Sequence, residues 1–509
     1  MFKMSREEDH ARPKVSVAAI VRGQTFIVIA LFVASRIIFA LAGVRMTFNG
    51  LPGDWQLLDL HQLRKNFVTA IFNLHSQPPL FNSFTGFLLR FPSSIQHDVA
   101  TVSSLLLGLT IVICVFHLLK EFNIPFRIAL AITVLVMTSP SFILYENCYF
   151  YTYTTTAALT FCALALVKFL RLHSLGWGAA YCFGLAVVIF ANSTFQWPWM
   201  VLGLVPVFAT VRLNPLAIAK VALIPIILVF GWYAKDAIKF HTFSTSSWIG
   251  MNMTHVTIDS ASPKTLRQMI AKKQLTPIAA IPAFSPVDFY VPNFIPPHQH
   301  ADARVLNSKT EDGIYQNFDN INFIAISNAY LKDDLKFILL RPVSYLSNVT
   351  KAAQIFVVPA DQYEWLRTNA AKITTYISWY DKVLMLQPSH MDPATYTAQS
   401  GYTSGGTGVR TSWSQESYLE IVILFLTLFV LPYLLIRRRF ERVLAWTLGF
   451  IFISTAYTFL ATNLFELGEN NRFQMDLGPL PLIAAIAVGV NLYGARSKRR
   501  PTTDPKSAS

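Results

Sequence analysis

The feature that most constrains this chain is a series of long apolar runs separated by short polar or basic intervals. Runs occupy roughly 25–44, 99–118, 127–144, 154–171, 176–191, 197–211 and 217–234, then, after a stretch of mixed polarity, 418–436, 443–464 and 479–495. About 20 apolar residues cross the hydrocarbon core as a helix, and only helices or closed barrels satisfy every backbone polar group there. Charged residues make up 14% of the chain, against roughly 25% in an average soluble domain. The expectation is an all-α polytopic membrane protein of about ten transmembrane helices.

The net charge of +14 invites a nucleic-acid reading, but the placement of the charges argues for another cause. With the N-terminus inside, the inner segments carry 20 Lys/Arg and the short outer segments carry 5. Such an excess on the cytoplasmic side is what orients membrane helices, so the basic balance is a topology signal and nucleic acid is excluded as a partner. The run at 25–44 lacks a small-residue cleavage site and reads as a retained anchor. Cys114, Cys148, Cys162 and Cys182 show no spacing that suggests a disulfide framework or a zinc ribbon.

The domain reading follows from the runs. Residues 1–24 form a cytoplasmic tail, 25–234 a transmembrane catalytic module with a first outer loop at 45–98, and 418–495 the C-terminal transmembrane helices before a second tail at 496–509. Residues 235–417, with 16 Lys/Arg and 14 Asp/Glu, are too long for a bare loop. They are expected to form an extracytoplasmic, mostly helical domain inserted between spans seven and eight, with 404–414 (SGGTGVRTSWS) as a flexible connector.

This topology sends the chemically rich residues to one face. The outer side receives Asp54, Asp59, His75 and Gln77 from the first loop, Tyr145-Glu146-Asn147, Asn192–Trp199, the insertion, and ELGENNRFQMD at 466–476. The inner loops offer little beyond basic residues and turn formers. A transporter is expected to carry ionisable groups near the midplane of several spans, whereas Arg36 is the one clear intramembrane charge in the runs. The balance favours an enzyme with its site at the outer interface of an integral, multi-pass protein.

At this point the residues resemble a family. Leu57–Asp59 (LLD), Leu74–Asn82 (LHSQPPLFN), Tyr145–Asn147 (YEN), Phe243–Asn252 (FSTSSWIGMN) and Glu469–Phe473 (ENNRF) look like blocks of the C-type polytopic membrane glycosyltransferases. That group includes protein O-mannosyltransferases and lipid A aminoarabinose transferases. The resemblance spans nearly the whole chain and implies inverting transfer of a sugar from a polyprenyl-phosphate donor to an acceptor lipid, glycan or protein. It also implies a bacterial cytoplasmic membrane with the site on the extracytoplasmic side. The family's catalytic acid in the first outer loop matches Asp59, which completes the LLD block, or Asp54.

Inverting transfer needs a carboxylate to deprotonate the acceptor hydroxyl and groups to hold the departing phosphate. Asp59 is the expected base, with Asp54 a second acid, a metal ligand or a loop cap; the alternative for both is a helix N-cap. Glu146, among aromatics at the end of a span, is a further acid or an interfacial residue. His75 and Gln77, before Pro78-Pro79, are expected against the donor phosphate, as are Arg472 with Asn471 and, more weakly, Lys235. Trp248, Ser246 and Asn252 offer an indole, a hydroxyl and an amide for sugar contacts. No ligand cluster argues for a metal: His298 and His300 form a lone HxH pair, so no cofactor is assigned and a divalent ion stays open. Two other readings also stay open, a lipid-phosphate-dependent non-glycosyl transferase or ligase and a lipid or glycan transporter.

Overall fold

The structure, a computed structural model, describes residues 17–48, 55–209, 214–296, 303–307, 309–388 and 416–497. Asp54, His298 and His300 lie outside the described residues. Among the described residues the chain is helical with no strand, and two isolated bridges join Thr47 to Cys148 and Lys309 to Gln316.

The N-terminal part runs α1 (Val17–Leu41), the short α2 (Leu60–Lys65), α3 (Phe67–Asn73) and α4 (Pro79–Leu88), then α5 (Ser93–Glu121), α6 (Phe126–Thr138), α7 (Pro140–Glu146), α8 (Tyr151–Leu172), α9 (Leu175–Ala191), α10 (Trp197–Ala209) and α11 (Pro215–Phe240). Prolines start α4, α7 and α11, where the missing N–H is no loss and the fixed φ suits the first turn. The insertion holds α12 (Ile249–Met253), α13 (Pro263–Ala271), α14 (Asn322–Leu340), α15 (Pro342–Phe356), α16 (Arg367–Ala370) and α17 (Thr374–Val383), joined by 3₁₀ turns. The chain closes with α18 (Tyr418–Phe425), which continues through a π turn into α19 (Leu431–Ile436), then α20 (Arg442–Phe465), α21 (Asn470–Leu477) and α22 (Leu480–Ser497).

Six of these helical stretches are long and apolar enough to cross a membrane: α1, α5, α8, α11, α18 with α19, and α20. The number reaches eight if each of two bent pairs is one span, α6–α7 bent by 54° and α21–α22 by 62°. The runs at 176–191 and 197–211 also form helices, but α9 has 17 residues and α10 has 13, short of a straight crossing. Composition and length therefore support six to eight spans where ten apolar runs stand in the sequence. The bend after α21 is built on Gly478, whose φ of 52° is left-handed and whose Cβ would collide with Thr156 on α8.

Burial ranks the helices. In the most apolar window of α8, 72% of residues are buried, against 17% for α1, so α8 is the central post and α1 lies at the rim. The buried threonines of α8 satisfy themselves: Thr155, Thr156 and Thr160 each donate to the carbonyl four residues back, at 3.2, 3.1 and 2.8 Å. A polar tie crosses the bundle where Arg36 on α1 meets Glu146 at the end of α7.

The insertion divides its loyalties. Trp248, Met251, Phe284, Tyr290, Phe318 and Phe337 belong to a core of its own. Tyr363, Leu366, Ala370, Ile373 and Ile377 instead join the core of the helical bundle. Tyr376 and Tyr380 donate to the carbonyls of Thr138 and Leu135, at 2.6 and 3.1 Å. These are carbonyls at the C-terminal end of α6, freed where Pro140 and the bend interrupt the helix. This packing presses the insertion onto one end of the bundle and leaves a cavity between them.

Candidate functional site

The cavity measures ≈ 720 Å³, within the range of small-molecule sites. Segments far apart in sequence line it, five of them with several side chains or charged groups. The first loop supplies Trp55, Gln56 and Gln77; the turn after α9 supplies Ser193, Thr194 and Gln196; the segment after α11 supplies Ser246, Trp248 and Asn252; the 3₁₀ turn before α16 supplies Glu364 and Trp365; and the α20–α21 corner supplies Glu466, Glu469 and Arg472. Parts of the segments that the sequence reading sends to one face thus meet at one end of the bundle.

The α20–α21 corner shows how local sequence sets the site. Asn470 donates to the carbonyls of Thr462 and Glu466, both at 3.2 Å, and to Asn463 Oδ1 at 3.0 Å, which ties the corner to the end of α20. Asn471 donates to the carbonyl of Gln362 at 3.1 Å, which ties it to the insertion. With both amides spent on scaffolding, the next residue, Arg472, faces the cavity. Its Nη2 lies 2.7 Å from Glu469 Oε2 and its Nη1 3.1 Å from the Tyr151 hydroxyl, while its guanidinium sits 4.3 Å from the Phe473 ring centroid. Tyr363 donates to the other Glu469 oxygen at 3.2 Å. A planar cation held this firmly, only 3% exposed, presents its donors with little entropy left to lose.

Around this pair the walls alternate between aromatic and amide or hydroxyl groups. Trp248 is fixed by a bond from its indole N–H to the Phe318 carbonyl at 3.2 Å. Ser246 donates to the Ser76 carbonyl at 2.6 Å, joining the insertion to the first loop. Gln196 donates to Thr245 Oγ1 at 3.0 Å and accepts from Tyr233 at 2.5 Å. Glu466 accepts from His255 Nδ1 at 2.8 Å. Burial lowers the pKa of His255, but the Glu466 carboxylate outweighs it and holds the imidazole up at about 9.

Five of the residues singled out in the sequence meet here: Gln77, Arg472, Trp248, Ser246 and Asn252. The others take other duties. Asp59 is the N-cap of α2, accepting from the backbone N–H of His61 at 2.8 Å and of Gln62 at 3.2 Å, and its second oxygen accepts from the Glu311 N–H. Both carboxylate oxygens are engaged in this way and Asp59 lies outside the cavity lining, so the structure gives it the capping place that stood as the alternative to a base. Glu146 is not an acid in the cavity either: it forms a two-armed ion pair with Arg36 at 2.7 and 2.9 Å and accepts from Tyr153 at 3.0 Å. His75 lies fully inside, its Nδ1 2.8 Å from Ser247 Oγ and its Nε2 2.9 Å from the Asp319 carbonyl. Burial holds its pKa below the ordinary value in spite of Asp319. Lys235 is pinned by the Leu74 carbonyl at 2.8 Å and Asp236 at 2.6 Å, with its ammonium 3.7 Å from the Trp232 ring centroid. Asn471, as described, holds the corner rather than lining the cavity.

The cavity also holds residues the sequence did not single out as site residues: Glu469, which entered only as the start of the ENNRF block, with Glu466, Glu364, Gln196 and the tryptophans Trp55 and Trp365. The signal for two of them was present: Glu466 and Glu469 stand in the same short stretch as Arg472, and the spacing of Glu469 to Arg472 is one helical turn. Glu364-Trp365 gave no comparable sign, since its place depends on how the insertion packs. Among the described residues no group of three or more His, Cys, Asp or Glu is placed to hold a metal ion. A scan against protein-family models and a search of curated proteins each found no match for this chain.

Proposed function

We propose that this chain is an inverting membrane glycosyltransferase that moves a sugar from a polyprenyl-phosphate donor to an acceptor on the outer face of a bacterial cytoplasmic membrane. The observation that carries this reading is the Arg472–Glu469 pair set in a cavity walled by Trp55, Trp248 and Trp365. Guanidinium groups match phosphate oxygens bidentately, and indole faces offer flat apolar surfaces for the C–H face of a sugar ring. The positive-inside count supports ten segments crossing or entering the membrane, α9 and α10 included, with the insertion and the cavity on the extracytoplasmic side. Exposed apolar side chains at the rim, Trp197 at 39% and Phe243 at 53%, suit a lipid tail that stays in the bilayer.

The chemistry assigned to the site is a single displacement. A carboxylate takes the proton of the acceptor hydroxyl, the acceptor oxygen bonds to the anomeric carbon, and the bond from that carbon to the phosphate oxygen breaks. Arg472 receives the charge that collects on the departing lipid phosphate. The family resemblance offers Asp59 or Asp54 as the first-loop base; with Asp59 engaged as a cap, we assign the base to Asp54. Glu469, beside Arg472, orients the guanidinium. The long insertion, which contributes Trp248, Ser246 and Asn252, is assigned to acceptor selection.

The test is transfer from a panel of polyprenyl-phosphate sugars by full-length protein reconstituted in vesicles, with Arg472→Ala and Asp54→Asn alongside. Transfer by the wild type, lost in both variants, is expected. No transfer from any lipid-linked sugar sinks the glycosyl reading; transfer of a non-sugar group from a lipid phosphate redirects it to another transferase using the same clamp. Movement of an unaltered lipid across the vesicle makes the chain a transporter instead.

A further inference from the structure

The insertion turns apolar side chains outward at two places where it touches the ends of apolar helices of the bundle. At the corner between α14 and α15, Leu335, Leu339, Leu340, Val343 and Leu346 are exposed, Leu339 and Val343 at 80%. The opposite side of α14 already supplies Phe323, Ile326, Tyr330 and Phe337 to the insertion's own core. Exposed apolar patches of this kind mark a surface that meets something other than water. Tyr345, in the same turn as Val343 and Leu346, donates to the carbonyl of Leu464 at 3.0 Å. Leu464 stands at the end of α20, where Leu460 and Phe465 are exposed as well. The apolar surface of the corner thus runs on into the flank of a helix long and apolar enough to cross a membrane.

α17 repeats the arrangement against α6. Trp379, Val383 and Leu386, spaced four and three residues apart, are exposed. On the other side of the helix Ile377 is buried in the bundle core, and Tyr376 and Tyr380 hold the carbonyls of Thr138 and Leu135. Those carbonyls precede the bend of the α6–α7 pair, so α17 lies against the flank of that apolar pair rather than over its end.

The charges decide what covers these faces. Residues 321–360 contain two acids, Asp333 and Asp334, and both are buried, whereas Lys332, Lys336, Arg341 and Lys351 are all exposed. Around α17 the same holds: in 367–388 the one acid, Asp381, is buried, while Lys372 and Lys382 are exposed. Apolar side chains bordered by exposed cations match a phospholipid leaflet, with acyl chains below and phosphates above. A second copy seated there by two-fold symmetry would instead set cation against cation.

We propose that the insertion is seated in the lipid leaflet at two points, the α14–α15 corner and the outward face of α17. Leu339, Val343, Trp379 and Val383 lie among the acyl chains, and Lys336, Arg341 and Lys382 meet lipid phosphates. Lysine and arginine stems run along apolar surface and carry their charge up to the headgroups, and an indole suits that boundary. The two points flank the segment that walls the cavity. α15 ends at Phe356 and α17 begins at Thr374; between them Tyr363 donates to Glu469 at 3.2 Å, and Glu364 and Trp365 line the cavity. Lipid thus holds both ends of that wall and sets the height of the Arg472–Glu469 corner relative to the bilayer. None of this depends on what the cavity transfers.

Cys114, Cys148, Cys162 and Cys182 are all buried, so a nitroxide label goes to a single introduced thiol. Full-length Leu339→Cys, Val343→Cys, Trp379→Cys and Val383→Cys are labelled and reconstituted in phosphatidylcholine vesicles with and without phosphatidylglycerol. Gln268→Cys, on the exposed side of α13, is the water-facing reference. Collisions of the label with O₂, which concentrates among acyl chains, are compared with collisions with a water-soluble nickel chelate. O₂ is expected to dominate at the four sites and the chelate at Gln268. Phosphatidylglycerol is expected to shift the Val343 label deeper, and Lys336→Glu with Arg341→Glu to abolish that shift. Two sites at each point keep the test standing where one variant fails to fold. Dominance of the chelate at either point puts that face in water and overturns the proposal. Exclusion of both reagents, with dipolar broadening between labels, makes the face a contact between copies and overturns it too. A Val343 depth that ignores phosphatidylglycerol overturns the phosphate contacts.

Discussion

Arg472 and Glu469 stand one helical turn apart at the start of α21, Nη2 to Oε2 at 2.7 Å, and both face the same cavity. The pair is buried enough that each partner depends on the other, and open enough that an incoming anion would compete with Glu469 for the guanidinium. Removing a preorganised donor from a developing charge costs about 100- to 1,000-fold in turnover. Arg472→Ala is expected to lose activity on that scale. Arg472→Lys keeps the charge but not the fork and is expected to recover only part of it. Steady-state transfer rates in vesicles check both, and equal rates for Lys and wild type would refute the bidentate clamp.

Asp59 separates a capping role from a catalytic one. Asparagine is as good an N-cap as aspartate, while alanine costs about 1 kcal/mol. Asp59→Asn, which keeps the cap but cannot accept from the Glu311 N–H, is therefore expected to lower Tm slightly and retain turnover, and Asp59→Ala to lower Tm further with turnover per folded molecule preserved. Loss of transfer in folded Asp59→Asn would return the base to Asp59.

The Arg36–Glu146 pair ties α1 to the rest of the bundle, and breaking a buried pair by removing one partner costs about 3–5 kcal/mol. Glu146→Gln and Arg36→Met singly are each expected to destabilise the protein strongly, and the double variant less than the sum of the two. Gly108 on α5 offers an independent check, because a Cβ there would run into Glu146 Oε2 and also lie within 2.8 Å of the Tyr153 hydroxyl. Gly108→Ala is expected to match the single variants in lowered Tm.

His255 and Glu466 make stability depend on pH at the join between insertion and bundle. The folded pKa, about 9, lies above the ordinary 6.5. A raised pKa means the ion pair contributes in full below about pH 6.5 and that this contribution fades as pH climbs through about 9. The wild type is expected to lose thermal stability across that window, and His255→Gln to show a flatter profile. Parallel profiles for the two would refute the assignment.

Local and regional features of the chain were legible before any tertiary contact. The apolar runs became helices because hydrocarbon leaves the backbone no other way to satisfy itself, and prolines marked the starts of α4, α7 and α11. Gln77, Ser246, Trp248, Asn252 and Arg472, which the order of the apolar runs sends to one face, line one cavity at one end of the bundle. The division of labour among the polar residues was not legible. Asp59 is a cap partly because of Glu311, Glu146 is an ion-pair partner because of Arg36 on another helix, and His75 is a buried strut because of Ser247 and Asp319. A carboxylate or imidazole takes its role from the charge, donor or solvent that faces it; beside the local cap donors of Asp59, these partners lie at least 110 residues away in sequence. Sequence alone determined which polar segments lie between the helices; only the packing of the insertion onto one end of the bundle decided which of their side chains line the cavity.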